Sequence, residues 1–144
     1  MGTTGGRRFN GQRWYEKKIN GRTKAALQLR EEEFIQAHAA DSLEMLAAYL
    51  RREAEELGHS PRAVEILGSY YIGSRFGSWA KALQAAGLSY PTGPSRLSLT
   101  RLYREEYERQ QEIWRIEKEE KKALQKKEGE KRKTAGGRKK REDN

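Results

Sequence analysis

Eighteen of the chain's 23 Leu, Ile, Val and Phe residues fall between residues 25 and 102, and that crowding limits where a core can form. Burial of apolar surface is the main term that offsets the conformational entropy lost on folding. Over the whole chain these four residue types make up about 16%, against 35% charged residues. Such a composition lies on the disordered side of the boundary. A folded centre of roughly 75 residues with polar extensions at both ends is therefore expected.

The charge follows the same division. Residues 1–24 carry a net +6, residues 25–114 a net −3, and residues 115–144 a net +6. Basic ends on a slightly acidic centre point to a polyanionic partner gripped partly by those ends. The chain has no cysteine, so neither a disulfide framework nor a zinc finger is available to it. No run of 18 apolar residues occurs, so no membrane partner is expected. The first residues lack a secretory apolar run, and Gly6 stands where a myristoylation motif wants Ser or Thr. The expectation is a cytoplasmic protein.

Four segments emerge. Residues 1–21, rich in Gly and basic residues with Phe9, Trp14 and Tyr15 interspersed, show no helical or strand period and read as a flexible basic arm. Arg7, Arg8 and Arg13 are its candidate phosphate contacts, and the aromatic residues could stack on bases. Residues 22–96 form the helical core. A first helix is expected from Thr23, as N-cap, to His38. A second starts at Asp41 with Glu44 completing a capping box, carries Leu43, Leu46, Ala47, Leu50, Ala54 and Leu57 on one face, and ends at Gly58. Ser60-Pro61 opens a short helix to Leu67, and Ser69 caps another through Phe76. Ser78 caps the next, Trp79 to Ala86, before Gly87. Residues 97–128 read as a long charged helix with pairs such as Glu105/Arg109 and Glu117/Lys121 at i, i+4. Residues 129–144 read as a disordered basic tail.

The fold class is thus all-α: a small helical bundle containing a helix-turn-helix-like unit, then a long C-terminal helix, with disordered basic termini. The unit is Ser60–Leu67 followed by Ser69–Phe76, two short helices about a tight Gly-containing turn. In such a unit the second helix enters the DNA major groove with its early residues at base edges. Those residues are Ser69, Tyr70, Tyr71, Ser74 and Arg75. One of Tyr70 and Tyr71 is expected to pack inward and the other to remain exposed.

Gly58-His59-Ser60-Pro61, followed by Arg75-Phe76-Gly77-Ser78-Trp79-Ala80-Lys81-Ala82-Leu83-Gln84-Ala85-Ala86-Gly87-Leu88, resembles the homing-endonuclease-associated repeat. That is a small helical DNA-binding module often found beside HNH nuclease domains. The resemblance covers residues 43–88, in one copy and without the nuclease domain. It implies that the helix Ser69–Arg75 is presented to DNA, with Arg62 and Lys81 near the phosphates. The residues themselves support a packing role for much of the closing run. Gly77 permits a sharp turn, Ser78 caps a helix, and Phe76, Trp79, Leu83 and Ala86 can pack together.

Two features depart from a strong DNA binder. The presented helix has one basic residue, Arg75, with Gly73 lowering its helix propensity, and the helix before it, residues 43–57, is acidic apart from Arg51 and Arg52. The basic arms would then have to supply much of the affinity. No catalytic site and no cofactor are expected. His38 and His59 are the only histidines, each at an expected helix end, and no Walker A, G-x-S-x-G or H-E-x-x-H motif occurs. Glu31-Glu32-Glu33 reads as a solvated helical face. The expected function is therefore DNA binding in a regulatory, accessory or architectural role. The alternatives are an RNA or ribonucleoprotein partner, or a helical protein–protein adaptor working through residues 97–128.

Overall fold

The computed structural model describes the backbone of residues 10–142 and the side chains of residues 10–133. Among these residues the protein is all-α, with five α-helices and no strand. They are α1 (Gly11–His38), α2 (Leu43–Leu57), α3 (Ser69–Phe76), α4 (Trp79–Ala85) and α5 (Arg101–Glu142). Single 3-10 turns occupy Ala63–Glu65 and Leu97–Leu99. The chain divides into two compact units, one ending at Glu108 and the other starting at Arg109.

Helix α1 begins twelve residues before Thr23, so residues 11–21, expected as a flexible arm, are helical. Asn10 is the reason at the N-terminal end. Its side-chain oxygen accepts hydrogen bonds from the backbone N–H of Gln12 (3.1 Å) and Arg13 (3.2 Å), satisfying two donors with no partner inside the helix. Burial supplies the rest. Ile19 and Thr23 are fully buried, and the Thr23 hydroxyl donates to the Ile19 carbonyl at 2.7 Å instead of capping. The first two turns of α5 share this environment. Tyr103 donates to Asn20, and buried Glu106 pairs with Arg30 at 2.6 Å.

Helix α2 is capped one residue later than expected. Ser42, not Asp41, accepts from the Met45 N–H (3.1 Å), while Asp41 accepts from the ring of His38 at 2.6 Å. The helix ends at Gly58 as the spacing predicts. Its inner face, Leu46, Ala47 and Leu50, joins Phe34 of α1, Ile66, Ile72 of α3, Ala82 of α4 and Ala86 at the C-terminal cap of α4 in one core.

The segment Ser60–Leu67 is not an α-helix. Only Ala63–Glu65 turns, as a 3-10 turn, and Ile66 is extended. Three outside attachments hold the strand of chain before it. Ser60 donates to the Ser89 carbonyl, Pro61 is fully buried, and its carbonyl accepts from the Trp79 indole N–H at 3.3 Å. The Pro61 carbonyl is thereby drawn away from a helical ladder, and Glu65 instead accepts from the Arg62 N–H at 2.9 Å. The adjacent short helices are therefore α3 and α4. Gly77 joins them at φ +100°, a conformation L side chains rarely adopt. Ser78 caps α4 as expected, accepting from the Lys81 N–H at 3.1 Å. Helix α3 starts at Ser69 with Gly68 as its cap, so Ser69 is its first residue and not its cap.

Helix α5 starts with Thr100 accepting from the Tyr103 N–H at 3.0 Å. It continues to Glu142, beyond Gly129, where a disordered tail was expected. Its Glu, Lys, Gln and Arg content explains the continuation, because those straight-chain types lose little rotamer freedom in a helix. Within the second unit, Arg115 bridges Glu112 (2.5 Å) and Glu119 (2.9 Å), and Lys118 lies 5.3 Å over the Trp114 ring.

Candidate nucleic-acid interface

The surface around α3 is built from below by two inward anchors. Tyr49 of α2 is half-buried and donates to the Leu67 carbonyl at 3.1 Å, just before the helix. Burial pushes its phenol well above the usual tyrosine range, with the carboxylates of Glu53 and Glu31 adding to the shift. Glu31 of α1 accepts from the Gly68 N–H at 2.6 Å, while its other carboxylate oxygen has no partner among the described residues. Glu31 therefore departs from the expected solvated face, whereas Glu32 and Glu33 are exposed. Gly68 has φ +81°, and a Cβ there would lie 2.2 Å from the Phe34 ring. Only glycine lets α3 start this close to α1.

The expected contact residues then separate into two groups. Tyr70 is 83% exposed. Ser69, Tyr70, Gly73, Ser74, Ser78 and Trp79 line an open groove of about 480 Å³ along the outer side of α3 and the turn into α4. Ser74 donates to the Tyr71 carbonyl at 2.7 Å, and its hydroxyl oxygen can still accept. Lys81 is exposed at the same turn, with its stem across Gly77, where an added Cβ would stand 3.6 Å from Nζ. These groups form a hydroxyl-bearing face with an aromatic ring and one adjacent cation.

Tyr71, Arg75 and Arg62 are instead committed to the fold. Tyr71 packs against the core, and its hydroxyl accepts from Arg75 Nη1 at 2.7 Å. The second Arg75 nitrogen donates to the Asp41 carbonyl at 2.8 Å, and the guanidinium lies 5.6 Å from the Tyr71 ring centroid. Arg75 thus ties the end of α3 to the α1–α2 connection. Sequence reasoning treated it as a contact because a lone arginine on a presented helix looks free. The carbonyl that claims it lies 34 residues away and leaves no local pattern. Arg62 donates to the carbonyls of Thr92 and Gly93 (2.9 Å), bracing the segment between α4 and α5.

Arg13 is exposed in the first turn of α1, while Arg7 and Arg8 lie outside the described residues. Arg51 and Arg52, absent from the sequence-derived set, are exposed on α2 beside a second groove that also reaches Gly58 and Gly87. His38 and His59 each face a carboxylate, Asp41 and Glu65 (2.9 Å) respectively. No group of three or more His, Cys, Asp or Glu side chains that could hold a metal occurs among the described residues. No helix among them is long and apolar enough to cross a membrane.

The class defined by this arrangement is a small helical module. Helix α2 and the short pair α3–α4 close on one core, and α3 turns its polar side outward. Residues 41–89, which span that unit, match the family model of the homing endonuclease associated repeat, in a single copy. No curated protein and no solved structure matches the chain.

Proposed function

We propose that the chain is a duplex-DNA-binding protein that acts by binding and not by catalysis. In this reading α3 meets base edges through Tyr70, Ser69 and Ser74, and Lys81 contacts a phosphate beside them. The observation that carries the reading is the exposure of Tyr70 on a repeat helix that carries no acidic residue, in a segment that matches a homing endonuclease associated repeat. Hydroxyl groups can donate to or accept from base edges and phosphates alike. A face without fixed charge suits the groove floor, where the cost of desolvating a cation is avoided.

The experiment is selection from a random duplex pool, followed by fluorescence anisotropy with the enriched sequence. Tyr70→Ala should weaken binding by about tenfold, the scale of one good base or stacking contact. Lys81→Gln should weaken it less and reduce the salt slope by about 1. Because both side chains are exposed, neither change should move the thermal midpoint by more than about 2 °C. Retention of full affinity by both variants would exclude α3 as the contact element. Preference for structured RNA over the enriched duplex would redirect the reading to RNA.

A further inference from the structure

The second unit of the chain is one helix, and its lysines are not evenly spread around it. Lys118, Lys122, Lys126 and Lys133 stand at i, i+4, i+8 and i+15. At 3.6 residues per turn this places all four within about a quarter of the circumference, along about 22 Å of axis. All four are exposed. Arg115 would extend the row, but Glu112 and Glu119 already hold it, so its charge is locally neutralised. Glu119 and Glu130 flank the row. The other side of the helix carries Lys121, Lys127, Lys131 and Arg132 interleaved with Glu117, Glu120 and Glu128. Two sides of one helix therefore carry similar numbers of cations and differ in how many acids oppose them.

We infer that the Lys118–Lys122–Lys126–Lys133 row binds the phosphate backbone of duplex DNA. This rests on the reading of the chain as a duplex-DNA binder and names where its sequence-independent affinity resides. DNA presents one phosphate per 3.4 Å of axis on each strand, so a row about 22 Å long faces several of them. Ammonium groups suit this partner as mobile point charges on flexible stems. An anionic membrane is a poorer fit. Ile113, Ile116 and Leu124 share their side of the helix with Glu117 and Glu120 and form no continuous apolar face. The row also accounts for how a repeat whose contact helix has a single arginine, held by the fold, can bind a polyanion.

The test compares two full-length variants of equal net charge. One is K118Q/K122Q/K126Q/K133Q and the other K121Q/K127Q/K131Q/R132Q. Glutamine keeps helix propensity close to that of lysine, and circular dichroism confirms that both variants remain helical. Affinity for a mixed-sequence duplex is measured from about 50 to 300 mM salt. Each phosphate contact contributes about 0.9 to the slope of log K against log salt. The row variant should lose roughly 3–4 from that slope, and the opposite-face variant less than about 1. Equal losses from the two variants, or no loss from the row variant, would overturn the inference while leaving DNA binding intact. Absence of duplex binding by the unsubstituted chain would overturn both.

Discussion

Arg75 offers a direct separation of structural from contact chemistry. Its guanidinium donates to the Tyr71 hydroxyl at 2.7 Å and to the Asp41 carbonyl at 2.8 Å, and lies over the Tyr71 ring. A hydrogen bond from a charged donor contributes about 1.5–3 kcal/mol net, and a partly exposed cation–π contact about 0.5–1. Arg75 is only half-buried, so the low end applies, and with two such bonds and the ring contact Arg75→Ala should cost about 3–3.5 kcal/mol. With a urea m-value of about 1.5 kcal/mol/M for a domain of this size, the midpoint should fall by roughly 2–2.3 M. The assay is equilibrium unfolding followed by far-UV circular dichroism, repeated in a Tyr71→Phe background. Removing the acceptor hydroxyl first should shrink the cost of Arg75→Ala by about 1 kcal/mol, the coupling that a double-mutant cycle isolates. A single variant within 0.5 kcal/mol of the unsubstituted chain would refute the clamp. Loss of DNA affinity at unchanged stability would return Arg75 to the contact surface.

Two further outcomes test the scaffold beneath α3. Gly68→Ala should destabilise by about 3 kcal/mol, combining roughly 1 kcal/mol for the left-handed backbone with displacement of the buried Phe34 ring 2.2 Å from the new Cβ; in a Phe34→Ala background only the backbone part should remain. The raised pKa of Tyr49 means that the folded state holds the phenolic proton more tightly than the unfolded chain does. Its contribution is therefore complete below about pH 10 and is lost as pH rises above that value. Tyr49→Phe should lower neutral-pH stability by about 1 kcal/mol through the lost bond to Leu67 and flatten the alkaline decline. An unchanged alkaline slope would show that another group sets it.

What the sequence revealed and what it hid follow the range of the interactions concerned. The all-α class and the extents of α2 and α4 were legible because caps and hydrophobic spacing act within a few residues. Gly58, Ser78 and the Leu46–Leu50 face each signal themselves locally. The exposure of Tyr70 and packing of Tyr71 followed from helical geometry, since neighbouring residues point about 100° apart. The early start of α1 was hidden because the partners of its residues are distant: Asn20 accepts from Tyr103 and Arg30 pairs with Glu106, each about 80 residues away. The failed helix at Ser60–Leu67 has the same origin. Ser60 and Pro61 are good helix openers, yet the partners that claim them, Ser89 and Trp79, come later in the chain. Local propensity is a weak prior, and three tertiary attachments outweigh it.

The division of labour in the candidate site has a related physical basis. A cation on a short helix beside backbone carbonyls is stabilised by whichever acceptors reach it first. Here the protein's own carbonyls reach Arg75 and Arg62 before any ligand does. Their fixed positions hold α3 against the α1–α2 connection and brace the chain after α4. What remains at the surface is a set of hydroxyls and one ring, groups with directional preference but little long-range field. In the proposed binding, long-range attraction would then come from charges whose geometry is not spent on folding, which include Lys81, the exposed Arg51 and Arg52 of α2, and the lysines along α5. In the proposed mode of binding, orientation and attraction fall to different residues, so mutations in the two sets should affect binding in different ways. If the proposed DNA binding holds, changes at Tyr70 should alter discrimination between sequences, whereas changes along the lysine row should alter salt dependence for every sequence alike.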